Sequence, residues 1–90
     1  MREGRVVVVN RLGLHARAAA KLVKTAERFR SRILIISIDG SVKVNAKSIL
    51  SVLTLAAARG KELKLNAEGP DENAAFEAIT ALFESGFDED

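Results

Sequence analysis

The apolar residues change period repeatedly along the chain, and this switching limits the folds open to it. Val6-Val7-Val8-Val9 is a β-branched run with the character of a buried strand, placed over Arg5–Val9. Beyond Gly13 the spacing becomes helical, with Ala19, Leu22, Val23, Ala26 and Phe29 three or four apart. A helix is therefore expected from His15 or Ala16 to Phe29, followed by the polar turn Arg30-Ser31-Arg32. Ile33–Ile38 is apolar on both faces and reads as a central strand covered on at least one side. Asp39-Gly40 then signals a hairpin, since both residues tolerate left-handed backbone. Ser41–Asn45 alternates and predicts an exposed edge strand.

The second half repeats the alternation of types. Ser48 is placed as the N-cap of a second helix, which Arg59-Gly60 closes in a C-cap pattern. Glu62–Ala67 alternates as a fourth strand. Gly69-Pro70-Asp71 breaks the chain, and Asp71 is expected to cap a last helix with Ala75, Ala78, Ile79, Leu82 and Phe83 on its core face. Ser85-Gly86 ends that helix, and the tail after it is expected to fray. The order β-α-β-β-α-β-α, with a hairpin in the middle, predicts an α+β domain over residues 1–90, with helices on one face of a mostly antiparallel sheet.

Chemistry concentrates in Asn10-Arg11-Leu12-Gly13-Leu14-His15-Ala16-Arg17, which holds the only histidine. His15 falls at the start of the first helix. The amides there have no partner within the helix, and the dipole makes the end positive. Positive charge favours a neutral imidazole with one nitrogen free as a nucleophile. The same amides can hold phosphoryl oxygens, and Arg17 adds a planar fork of donors. The set suits a histidine that accepts a phosphoryl group and passes it on. It suits metal poorly, since the chain has no cysteine and no second histidine. On residue types alone, a surface histidine or a simple cap is the competing reading.

A second feature is excess apolar surface on the short helix after Ser48. Ile49, Leu50 and Leu53 cannot all face the core if Val52, Leu55 and Ala56 do, so a partner-binding patch is expected there.

Composition narrows the class further. An apolar content of 48% supports a packed fold over disorder. Absence of cysteine fits a reducing compartment. No apolar run approaches the ~20 residues that span a membrane, and no signal-peptide pattern opens the chain, so a cytoplasmic location is expected. The net charge of +2 is too small to imply nucleic acid. Its distribution is uneven: Lys21, Lys24, Arg28, Arg30 and Arg32 are basic, and Asp88, Glu89 and Asp90 form an acidic tail. A basic surface near the histidine would steer anionic phosphodonors or acidic partners.

Gly13-Leu14-His15-Ala16-Arg17 after a strand resembles the active-site segment of HPr, the histidine-containing phosphocarrier family of the bacterial phosphotransferase system. Ala18 stands where many members have proline. Val44-Asn45-Ala46-Lys47-Ser48-Ile49-Leu50 resembles the segment carrying the family's regulatory serine, which places that role on Ser48, while Ser51 departs from the usual glycine. The resemblance spans nearly the whole chain. It implies an open-faced β-sandwich, strand order 1-4-2-3, with three helices on one face. It implies a phosphocarrier with no cofactor or metal of its own, acted on by its partners and not itself an enzyme. His15 would take a phosphoryl group from phosphoenolpyruvate-charged enzyme I and give it to enzyme IIA domains for sugar uptake, with Arg17 stabilising the phosphate. Ile49, Leu50 and Leu53 would dock enzyme I, enzyme IIA and an HPr serine kinase/phosphorylase. A monomer is expected. A nitrogen-type regulatory phosphorelay is the alternative within the resemblance, and the Ala18-Ala19-Ala20 run is compatible with it. A small RNA-binding α+β domain is the alternative outside it. The four phenylalanines, Phe29, Phe76, Phe83 and Phe87, all lie outside the expected strands, which counts against base stacking.

Overall fold

Alternation places every second strand residue against the helices, and the computed structural model, which describes residues 1–89, shows where each row lies. The strands are β1 (Arg2–Val7), β2 (Arg32–Ser37), β3 (Lys43–Asn45) and β4 (Glu62–Glu68). The helices are α1 (Ala16–Glu27), α2 (Ile49–Leu53) and α3 (Glu72–Glu84), and a 3₁₀ turn, Gly86–Asp88, follows. The sheet order is β1-β4-β2-β3, with every pair antiparallel. This is the open-faced α+β architecture that the resemblance implied.

Register explains the core. Gly4 pairs with Leu65, Leu65 with Ile35, and Ile35 with Val44, so one row crosses all four strands on the helix-covered side. Val6, Val8, Ile33, Leu63 and Ala67 add to that side, and Ala18, Ala19, Leu22, Ala26, Val52, Ala75, Ile79 and Phe83 descend on it from the helices. Gly4 has a steric reason to lack a side chain, because a Cβ there would lie 2.6 Å from Phe76 Cζ of α3. The Arg2 guanidinium stacks over the same ring at 4.3 Å, tying the start of β1 to α3.

Several local expectations shift. The valine run is buried on one face only: Val6 and Val8 are inside, whereas Val7 and Val9 are 42% and 46% exposed. The strand also begins earlier, at Arg2, and ends at Val7. β-branching alone could not tell one covered face from two. The first helix stops at Glu27, and the Arg28 and Phe29 amides turn back onto the Thr25 and Ala26 carbonyls. β2 ends at Ser37, leaving Ile38 in the hairpin turn.

The largest difference is α2, which closes at Leu53 instead of running to Arg59-Gly60. Ala56 takes a positive φ of 46°, and the segment after it runs without helix. Its Ala57 carbonyl accepts the Leu14 amide at 2.9 Å, and the Gly60 amide bonds Val8 O at 2.7 Å. Tertiary hydrogen bonds to the β1–α1 segment thus replace the last helical turns. Asp71 occupies the N-cap of α3 without making a side-chain cap bond. Its carboxylate accepts from the Arg30 and Ser31 amides and the Ser31 hydroxyl instead.

The tail is packed rather than frayed. Phe87 is fully buried and meets Phe83 edge-to-face, with ring centroids 4.9 Å apart. Asp90 of the acidic tail lies outside the described residues. Among the described residues, no helix is long and apolar enough to cross a membrane.

Candidate functional site

The passage from β1 to α1 is held by backbone bonds that need glycine at one point. Gly13 has φ +69°, and a Cβ on it would sit 2.5 Å from the Ala57 carbonyl oxygen. A left-handed turn this close to a neighbouring backbone admits no side chain. The Gly13 amide bonds Asn10 O at 3.1 Å, and Leu14 is buried against the core. The chain therefore reaches His15 with little freedom, and His15 is the N-cap of α1, in extended backbone.

An N-cap side chain ordinarily offers an oxygen to the first free amides. Here the imidazole takes that role: His15 Nδ1 accepts from the Arg17 amide at 3.2 Å. A nitrogen that accepts a hydrogen bond carries a lone pair, so in the neutral ring the proton belongs to Nε2. Nε2 lies 2.7 Å from Glu89 Oε2, in position to donate to it. The ring keeps 25% of its side-chain surface open. Among the described residues, the Ala16 and Ala18 amides have no hydrogen-bond partner, and the first α1 bond is Ala19 N–H to His15 O at 2.8 Å. Proline at position 18 would thus sacrifice no backbone bond.

Arg17 projects into solvent with 73% of its side chain exposed, and its Nη1 stands 4.0 Å from Glu89 Oε2. Ring and guanidinium therefore meet around one carboxylate. Glu89 Oε1 accepts from Asn10 Nδ2 at 3.0 Å, and the same nitrogen donates to Gly13 O at 2.7 Å. Desolvation pushes the Glu89 pKa up. The hydrogen bonds from Asn10 and His15, with the Arg17 charge, outweigh it and hold this carboxyl below its ordinary value.

Ser48 sits at the N-cap of α2 as expected, half-buried, with its oxygen accepting from the Ser51 amide at 3.4 Å. Its hydroxyl donates to Ser51 Oγ at 3.0 Å, so Ser51 fastens the serine. Among the described residues no hydrogen bond joins Ser48 to His15. Ile49, Leu50 and Leu53 are exposed beside it, while Val52 and Leu55 turn inward. Leu12, in the turn before His15, is exposed as well.

Asn10 and Glu89 were not singled out for this site from the sequence. Asn10 lies within the Asn10–Arg17 segment, yet nothing in the local sequence marks its amide as a clamp. Glu89 registered only as part of an acidic tail.

Comparison with known proteins gives this arrangement its context. A family model described as "PTS HPr component phosphorylation site" matches residues 2–85. The chain belongs to the HPr family. The phosphocarrier protein HPr of Treponema pallidum is 49% identical over 85 residues, which cover 94% of each chain. The phosphocarrier protein NPr of Proteus mirabilis is 44% identical over 86 residues, 96% of this chain and 94% of that one. The crystal structure of HPr-C-His from Thermoanaerobacter tengcongensis superposes with a TM-score of 0.92 at 43% identity, covering 100% of this chain and 99% of that chain. Family membership makes the chain one of the phosphocarriers, a group that includes both HPr and NPr relatives.

Proposed function

We infer that the protein carries a phosphoryl group on His15 Nδ1, taking it from phosphoenolpyruvate-charged enzyme I and delivering it to enzyme IIA domains in sugar uptake. The observation that carries the reading is the Nδ1 lone pair, on a partly open ring, facing the amide end of α1. Once phosphorus is bound, the Arg17 amide and the free Ala16 and Ala18 amides are donors for its oxygens. The exposed Arg17 guanidinium adds charge without having to leave a buried bond. Residues 1–90 act as one cytoplasmic domain and as a monomer. The protein is a substrate and product of its partners, which dock on Ile49, Leu50 and Leu53. Phosphorylation of Ser48, at the N-cap of α2 and next to that patch, adds nearly two negative charges and repels an acidic partner or a phosphodonor.

NPr relatives such as that of Proteus mirabilis support a second reading, a nitrogen-type phosphorelay without sugar transport. The donor step is the same; the receiving enzyme IIA differs.

Incubation with enzyme I and labelled phosphoenolpyruvate tests the assignment. The wild type should acquire acid-labile label, as a phosphoramidate does. His15→Ala should acquire none while melting as a folded protein; full labelling of that variant removes His15 from the role. Ser48→Asp in the same assay should slow uptake, and an unchanged rate removes the regulatory role.

A further inference from the structure

We propose that Glu89 is a positioning residue for His15, acting with the Arg17 amide to fix which ring nitrogen presents its lone pair to phosphorus, with Asn10 holding the carboxylate in place. The proposal rests on His15 being the phosphoryl acceptor. It begins with the turn that brings the tail back. Phe87 and Asp88 take φ of 58° and 59°, a left-handed conformation that side-chain-bearing residues rarely adopt. Tertiary contacts hold them there. The Phe87 ring is wholly buried against Phe83, and Lys21 Nζ of α1 grips the Phe87 carbonyl at 2.7 Å. Glu89, two residues on, is thereby delivered to the Nε2 edge of the imidazole.

Both carboxylate oxygens then have a partner. Oε2 accepts a hydrogen bond from His15 Nε2–H at 2.7 Å, and Oε1 accepts one from Asn10 Nδ2 at 3.0 Å. Asn10 is itself buried and anchored to Gly13 O. The chain Asn10–Glu89–His15 therefore has the arrangement of an orienting amide, a carboxylate and a nucleophilic imidazole. Glu89 is only 10% exposed, so solvent competes weakly for its bond.

The consequence for transfer follows from charge. When Nδ1 attacks, its lone pair becomes the new N–P bond. The donor's bond to phosphorus breaks, and that electron pair returns to the donor atom. No proton has to move. The ring, still carrying its Nε2 proton, acquires a positive charge as the bond forms. A carboxylate already bonded to Nε2–H stabilises this charge more than it stabilises the neutral ring, so the contact favours the transition state. Arg17, beside the same carboxylate, remains free to move toward the phosphoryl oxygens.

The test compares wild type with Glu89→Ala, Glu89→Gln and Asp88→Asn, each labelled with ¹⁵N. Imidazole nitrogen shifts near neutral pH report the tautomer without any phosphorylation. The wild type should show the Nε2–H form. Glu89→Ala, left with the Arg17 amide bond to Nδ1 alone, should show a smaller share of the Nε2–H form and lose about tenfold in kcat for transfer from phosphorylated enzyme I at unchanged KM, the loss expected for one charge-assisted hydrogen bond. Glu89→Gln, which still accepts the Nε2 proton, should keep the tautomer and recover part of the rate. Asp88→Asn, which removes a neighbouring exposed charge, should match wild type in both. A wild-type tautomer and rate in Glu89→Ala overturn the proposal, as does an equal loss in Asp88→Asn. If no variant and no wild type is labelled, the phosphocarrier reading fails, and the tautomer spectra alone decide whether Glu89 orients the ring.

Discussion

Asp71 stands at the N-cap of α3, yet its carboxylate serves a different segment. It accepts from the Arg30 and Ser31 amides and from the Ser31 hydroxyl, joining the α1–β2 turn to the start of α3. These bonds, the Ser31 hydroxyl foremost and then the Arg30 amide, lower its pKa from the ordinary 3.8 to about 2. A carboxyl with a depressed folded-state pKa contributes stability above its unfolded value. That contribution fades as pH falls through 3.8 and is gone below the folded value of about 2. Asp39 has the same sign, its pKa lowered to about 2 by the Ser41 amide and then the Ser41 and Ser37 hydroxyls. Urea unfolding at pH 7 should therefore show Asp71→Asn less stable than wild type, and at pH 2 the gap should narrow. A gap independent of pH would mean the contact acts by shape, not charge. The residue type at position 71 pointed to a cap; only the approach of Ser31 redirected it.

Among the elements, the 3₁₀ turn after α3 links packing most directly to the candidate site. Gly86 and Phe87 are buried, and this turn carries Glu89 to His15. Truncating Phe87 removes a full ring from the core beside Phe83. Phe87→Ala should cost about 3–5 kcal/mol in denaturant unfolding and release the tail, so that the His15 ring shows a weaker preference for the Nε2–H form in ¹⁵N spectra. Retention of the full preference would show that Glu89 is placed without the turn. Helix α2 tells the complementary story. Its N-cap was legible because serine before an apolar run has a local cause. Its end was not, because the Ala57 carbonyl and the Gly60 amide bond the β1–α1 segment, a partner outside the window that periodicity samples.

Across the whole molecule, exposed apolar residues occur on α2, at Ile49, Leu50 and Leu53, at Leu12 in the turn before His15, and also at Met1, Val7, Val9 and Ile38. Leu50 is 76% exposed, and Ile49, Leu53 and Leu12 are open with it. A side chain this exposed contributes little to folding, so Leu50→Asp should leave stability within about 0.5 kcal/mol of wild type. Binding to enzyme I or an enzyme IIA domain, measured by calorimetry, should weaken by about tenfold or more, as for an anchor at the centre of a docking patch. Unchanged affinity would move the docking surface elsewhere.

Element types, the hairpin, the edge position of β3 and the placing of His15 at a helix start were all readable from the chain, because period, turn chemistry and capping act over a few residues. Strand order came with the family motifs, since hydropathy does not say which strands pair. Folding decided the rest: that the valine run has one open face, that Asp71 serves Ser31, and that a tail expected to fray turns back. Asn10, Glu89 and His15 meet although Glu89 follows His15 by 74 positions. Contact between residues that far apart depends on how β1, α1 and α3 pack, and packing leaves no local mark in the order of amino acids.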